Sequence, residues 1–220
     1  MHRARANGYQ LLAILYFLTF IPILVSLLRL YELPAGALPE DGLRFAETPW
    51  RMWLHALGGS IFGLLGPLQF WGAFRRRFGR LHRLSGRIFV ASGLLMSASG
   101  LALLARFHAG SGDLTDLSRL VFGLLLGIVL VHAVSLAIAG RFTAHRDWMI
   151  RAYAIGMGTS PLAFIYMPLF LLGLPTPGPL ADDLIFVGLW CASVGTAELV
   201  IAWLHRPAHT PVQNRKEMAT

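Results

Sequence analysis

Cysteine is almost missing from this chain. Cys191 is the only one, so no disulfide can close within the chain, and cysteine usage says nothing about an oxidising compartment. Lysine is as scarce: Lys216 stands alone against eighteen arginines. Charge as a whole is thin, at 14% of residues, where a soluble domain carries about 25%. There is no Ser-His-Asp order, no HExxH metalloprotease motif and no phosphate-cradling glycine loop. An extended zinc or copper site lacks thiols, though His-rich coordination stays open. A charged fraction this low does not suit an ordinary soluble domain, and whether the chain is an enzyme stays open.

What fills the space is apolar. Of 220 residues 55% are hydrophobic, and the mean hydropathy is +0.60. Runs of about twenty residues, enough to cross a hydrocarbon core of ~30 Å, recur along the whole chain. Six are expected as helices, at 9–31, 52–73, 88–106, 119–140, 150–172 and 184–204. The first exceeds a ~15-residue signal-peptide core and has no small-residue cleavage site before Arg29, so it stays as helix 1. The expected fold is an all-helical, six-span bundle in a single membrane domain, with 205–220 as a tail.

The net charge of +8 does not mark a nucleic-acid protein, because the cations flank the spans. Segments 1–8, 73–87, 141–151 and 205–220 hold fourteen Arg and Lys against two acids, Asp147 and Glu217. The other side holds five Arg against Glu32, Glu40, Asp41, Glu47, Asp113, Asp116, Asp182 and Asp183. This positive-inside bias predicts cytoplasmic termini in the cytoplasmic (inner) membrane, with the RRRFGRLHR cations drawn to anionic lipid headgroups.

Connections are short except for 32–51, where Pro34, Pro39 and Pro49 interrupt any long helix. Small residues at packing spacing, Gly59/Gly63, Gly93/Ser97, Gly123/Gly127 and Cys191/Gly195, are expected to let helices approach closely. LHRLSGRIF (81–89) and AHRDWMIRAY (144–153) echo each other, which would set two cytoplasmic loops across a shared pocket.

Polar residues within spans are costly, about 2.5–3.5 kcal/mol for a charge at a helix centre, and so carry information. Glu198 shares a stripe with Cys191 and Gly195 and is expected to face the bundle, in its cytoplasmic half. His132 sits at nearly the same depth, and the two can meet; it serves equally as polar glue between helices. Arg87 and Arg151 enter from the cytoplasmic ends and reach either inward to Glu198 or outward by snorkelling. Asp147, four residues before Arg151, offers a rival ion pair. His82 and His145 lie at the same interface. His55 stands apart at the outer end, and Gln69 is placed to line the inner pocket.

The elements His55, GPLQF (66–70), LHRLSGR (81–87), AHRDWMIRAYA (144–154) and Glu198 together resemble a family of bacterial six- to eight-helix membrane proteins known only as a domain of unknown function. Related sequences often carry an arginine after the HR-x-WM-x-R element, where this chain reads TSPLAFIYMP. The histidines on four consecutive helices also resemble membrane cytochromes of the b561 type. That resemblance implies pairs between helices 2 and 4 and between 3 and 5. His55 and His132 lie at opposite depths, so the first pair does not close. His82 and His145 are level and would bracket one b-type haem, with Arg83, Arg87, Arg146 or Arg151 at its propionates.

Three readings follow: a haem-binding, electron-transferring module with an unidentified redox partner; a transporter for an anionic or protonatable small molecule, with Arg87 and Arg151 on the anion and Glu198 on the proton; and an assembly scaffold.

Overall fold

A computed structural model describes residues 2–38, 40–107 and 113–206, and among these every regular element is helical. In lipid each backbone N–H and C=O needs a partner within its own segment, which an α-helix supplies. The helices are α1 (His2–Ala35), α2 (Pro49–Phe70), α3 (Gly72–Arg77), α4 (Gly79–Arg106), α5 (Asp113–Ile138), α6 (Phe142–Gly156), α7 (Leu162–Leu171) and α8 (Pro179–Leu204). A 3-10 helix, Glu40–Glu47, covers part of the proline-marked connection. Among the described residues four stretches are long and apolar enough to cross a membrane: Gly8–Ala35, Gly79–Arg106, Leu114–Ile138 and Pro179–Leu204. The tail expected at 205–220 lies outside the described residues beyond Arg206.

Two boundaries differ from the apolar runs in ways that matter. The cationic stretch 73–87 is helical, as α3 and the start of α4, and α6 likewise begins at Phe142. Hydropathy marks only the apolar part of a helix, while arginine is itself a good helix former. His82 and His145 therefore both sit in first turns, of α4 and α6. The second difference is a break. The run 150–172 is two helices, separated at 157–161, where Met-Gly-Thr-Ser-Pro stands. Pro161 brings no N–H, and a Cβ on Gly158 would collide with the Trp190 ring.

The freed carbonyls at the break find partners on α8. Trp190 Nε1 donates to Ile155 O at 2.7 Å and Ser193 Oγ to Ala154 O at 3.0 Å. Broken helices persist at membrane depth only under such cover.

α2 and α4 run antiparallel and in the most extensive contact, with α1 on α2, and α5 on α4 and α6. The core is a ring cluster. Phe62 and Phe89, both fully buried, stack at 4.2 Å, and Tyr153 lies over Phe62 at 5.9 Å. Glycine makes this closeness possible: a Cβ on Gly58 would sit 2.8 Å from Ser92 O. Gly93 and Ser97 belong to the same seam, Ser97 Oγ donating to Gly123 O at 2.7 Å. Cys191 and Gly195 do not. Both are exposed, and nothing approaches a Cβ on Gly195, so their stripe with Glu198 faces out of the bundle. The expected close approach at Cys191/Gly195 is not made, because α8 turns its Trp190 and Ser193 side inward, where the broken helix needs donors.

Candidate functional site

At the basic end, where α4 and α6 begin, the polar residues are used in separate small groups. Gln69 Nε2 donates to Ser85 Oγ at 2.8 Å, and that hydroxyl passes its own proton to Leu81 O at 2.7 Å. Gln69 is thus a strut from α2 to α4. His82 is half-buried edge-on to Phe74, and its Nδ1 is buried with no hydrogen-bond partner among the described residues. His145 Nδ1 lies 2.7 Å from Ala133 O. A carbonyl only accepts, so Nδ1 carries the proton there. His82 and His145 are within electrostatic reach of each other.

On the adjacent face Arg151 grips Glu198 with two bonds, Nε to Oε1 at 2.6 Å and Nη2 to Oε2 at 2.8 Å. The guanidinium also lies 4.7 Å above the Trp148 ring, and His132 meets the same ring edge-on at 4.7 Å. His132 and Glu198 therefore join one surface chain, with Trp148 and Arg151 between them. Glu198 is 48% exposed, so this chain lies on the bundle's outside. Asp147 is occupied elsewhere, by Arg146 at 2.9 Å and His205 at 2.7 Å. Arg87 is exposed on α4. The residues expected to meet in one inner pocket are thus spread over three neighbourhoods, and His55 is in a fourth.

A bis-imidazole haem asks that each ring's second nitrogen have a partner to hold it in place. His145 meets this through Ala133 O. His82 does not: ligation through Nε2 would strand a buried Nδ1–H, and Nδ1 itself is closed off. The pair does not fit the group. No cluster of three or more His, Cys, Asp or Glu able to hold a metal ion occurs among the described residues.

A shallow, open pocket lies at this end, beside Asp147 and His205, and a deeper, half-open one at the other. A cavity of about 340 Å³ opens between α2, α4, α5, the α6 break and α8, within the ~300–1,000 Å³ range of small-molecule pockets. Rings make its walls: Phe122 stacks on Trp190 at 4.6 Å, Phe186 meets Trp190 edge-on at 5.1 Å, and Phe45 meets Phe107 edge-on at 5.7 Å. Met52 and Met96 add soft, adaptable surface. Thr159, in the break itself, lines the floor.

His55 and Arg119 supply the cavity's polar contacts together with Arg44 and Thr159. His55 Nδ1 is 3.0 Å from Met96 O, so it too donates to a carbonyl of the neighbouring helix. Arg119 pairs with Asp116 at 3.1 Å and lies 5.0 Å over the Phe186 ring. Below it, Thr115 Oγ1 bonds the buried Asp183, which ties α5 to α8. Of these residues the sequence singled out only His55. Arg119 was visible as one of few cations on the acid-rich side, and Trp190 and Phe186 carried no distinguishing pattern.

No curated protein and no solved structure matches the chain. A family profile does, over residues 52–201, from Met52 on the cavity wall to Ile201 of α8, its description being "Predicted membrane protein (DUF2306)". The matched span includes each element that carried the resemblance, and the chain belongs to that family of membrane proteins of unknown function.

Proposed function

We propose that this protein is a six-span protein of the cytoplasmic membrane, termini inside, which binds a small and mainly apolar molecule in the cavity at its acid-rich, extracytoplasmic end. The observation that carries the reading is the cavity: ring-walled, half-open, bordered by five helices, and holding a histidine and an arginine on its lining. α2, and α6 with α7, would complete the six crossings beside the four longest helices. The Arg and Lys bias supports the orientation and an anionic-lipid contact for α3.

The test is binding of the neutral naphthalene dye prodan to protein in nanodiscs. Its emission should shift blue beyond that of nanodiscs carrying Met52→Trp, whose larger side chain fills the space. Equal spectra with both proteins folded would sink the reading. Orientation is checked in a Cys191→Ser background: Met52→Cys should react with an impermeant thiol reagent on intact cells, and Ser85→Cys only in inverted vesicles.

Transport is the second reading, favoured by one observation. The break between α6 and α7 lines the cavity through Ile155, Gly156 and Thr159, and discontinuous helices at a binding site are how many transporters are built. Thr159→Cys reacting from both faces of the membrane supports it; reaction from one face only leaves a binding protein.

A further inference from the structure

We propose that the ligand is a lipophilic phenol, an uncharged aromatic ring with an alkyl substituent and one hydroxyl, whose O–H donates to Nε2 of His55. This rests on the cavity being a binding site and adds the chemistry of what it binds.

The tautomer comes first. Because Nδ1 spends its proton on Met96 O at 3.0 Å, Nε2 of the neutral ring presents a lone pair. No described group donates to it. His55 lines the largely apolar cavity, and an acceptor there without a donor is unfavourable by comparison with one that is bonded. The ligand that suits this position brings a hydrogen-bond donor.

The walls decide what carries that donor. Three ring pairs and two methionines border the space, and both rings and thioethers are favourable neighbours for another aromatic ring. The cations decide its charge. Arg119 is already engaged by Asp116 and by the face of Phe186, and Arg44 lies 4.8 Å over the Phe45 ring and has partners of its own, so both cations are engaged within the protein. An anionic ligand would have to compete with Asp116 for Arg119. A neutral ring hydroxyl does not. At about 340 Å³ the cavity is of small-molecule size.

The experiment displaces prodan from the nanodisc-held protein with 4-hexylphenol or with 4-hexylanisole, its methyl ether, which keeps ring and chain and lacks only the donor. Concentrations are compared at equal mole fraction in the bilayer. In the wild-type protein the phenol should displace at least tenfold more effectively. In His55→Leu that preference should vanish while both compounds still displace the dye. With nitrogen-15-labelled histidine, the Nε2 resonance of the wild-type protein should move on adding the phenol and stay still on adding the ether. Equal displacement in the wild-type protein overturns the phenol assignment and leaves the cavity as a site for apolar rings. Absence of any dye signal specific to the wild-type cavity overturns the assignment and the binding reading together. Neither of these outcomes depends on the His55 variant folding.

Discussion

The two ends of the bundle handle the same side chains differently. His145 and His55 each give Nδ1–H to a carbonyl on the neighbouring helix, Ala133 O and Met96 O. At the basic end this happens among arginines and surface ion pairs, and the groups nearby close on one another: Gln69 on Ser85, Arg146 on Asp147, Arg151 on Glu198. At the acid-rich end the equivalent histidine borders open space. A residue type and its hydrogen bond therefore do not identify a site. What separates the two histidines is that His55 lines the ring-walled cavity, while His145 is not among the residues lining the pocket at its own end.

That contrast can be broken in order of expected effect. The largest concerns packing. Gly58→Val should cost about 3 kcal/mol, since backbone atoms 2.8 and 2.9 Å from the new Cβ cannot yield as a side chain would. Gly195→Val, on the open face of α8, should leave thermal unfolding in the same detergent unchanged. Equal effects would mean that α8's outward stripe is packed against something.

Next comes the break. Trp190→Phe keeps a ring on Phe122 but removes the 2.7 Å side-chain bond to Ile155 O, leaving that carbonyl the longer 3.4 Å bond from Gly158 N, and should cost about 1 kcal/mol. A variant as stable as the wild type would show that another donor serves that carbonyl. The smallest effect is expected at the basic end. Glu198→Gln loosens a half-exposed ion pair and should cost less than about 1 kcal/mol, with prodan affinity unaltered. A large loss of dye binding in this variant would join the two ends into one functional unit.

The sequence made the helices legible because period and length are local properties. Each of the six apolar runs overlaps helix, though 150–172 is interrupted at 157–161 and 52–73 at Trp71, and Arg151 does reach Glu198, as its long stem at a helix entrance allowed. The cavity was harder to see. It is the gap left between five elements distant in sequence, so no spacing rule marks Arg119, Phe186 or Trp190. The break was nearer to being readable. Gly156, Gly158, Thr159, Ser160 and Pro161 are a dense set of poor helix formers, hidden by apolar neighbours that kept the hydropathy of the run high. Where the stripe on α8 points was not readable either, because either face of that helix is apolar enough to be buried.

The break also bears on the order in which the protein is made. At 15 and 10 residues α6 and α7 are each shorter than the roughly twenty needed to cross a bilayer. The carbonyls of Ala154 and Ile155 gain their side-chain partners from Ser193 and Trp190, about forty residues later in the chain. The two side-chain bonds that cover the break therefore form only after α8 has been synthesised.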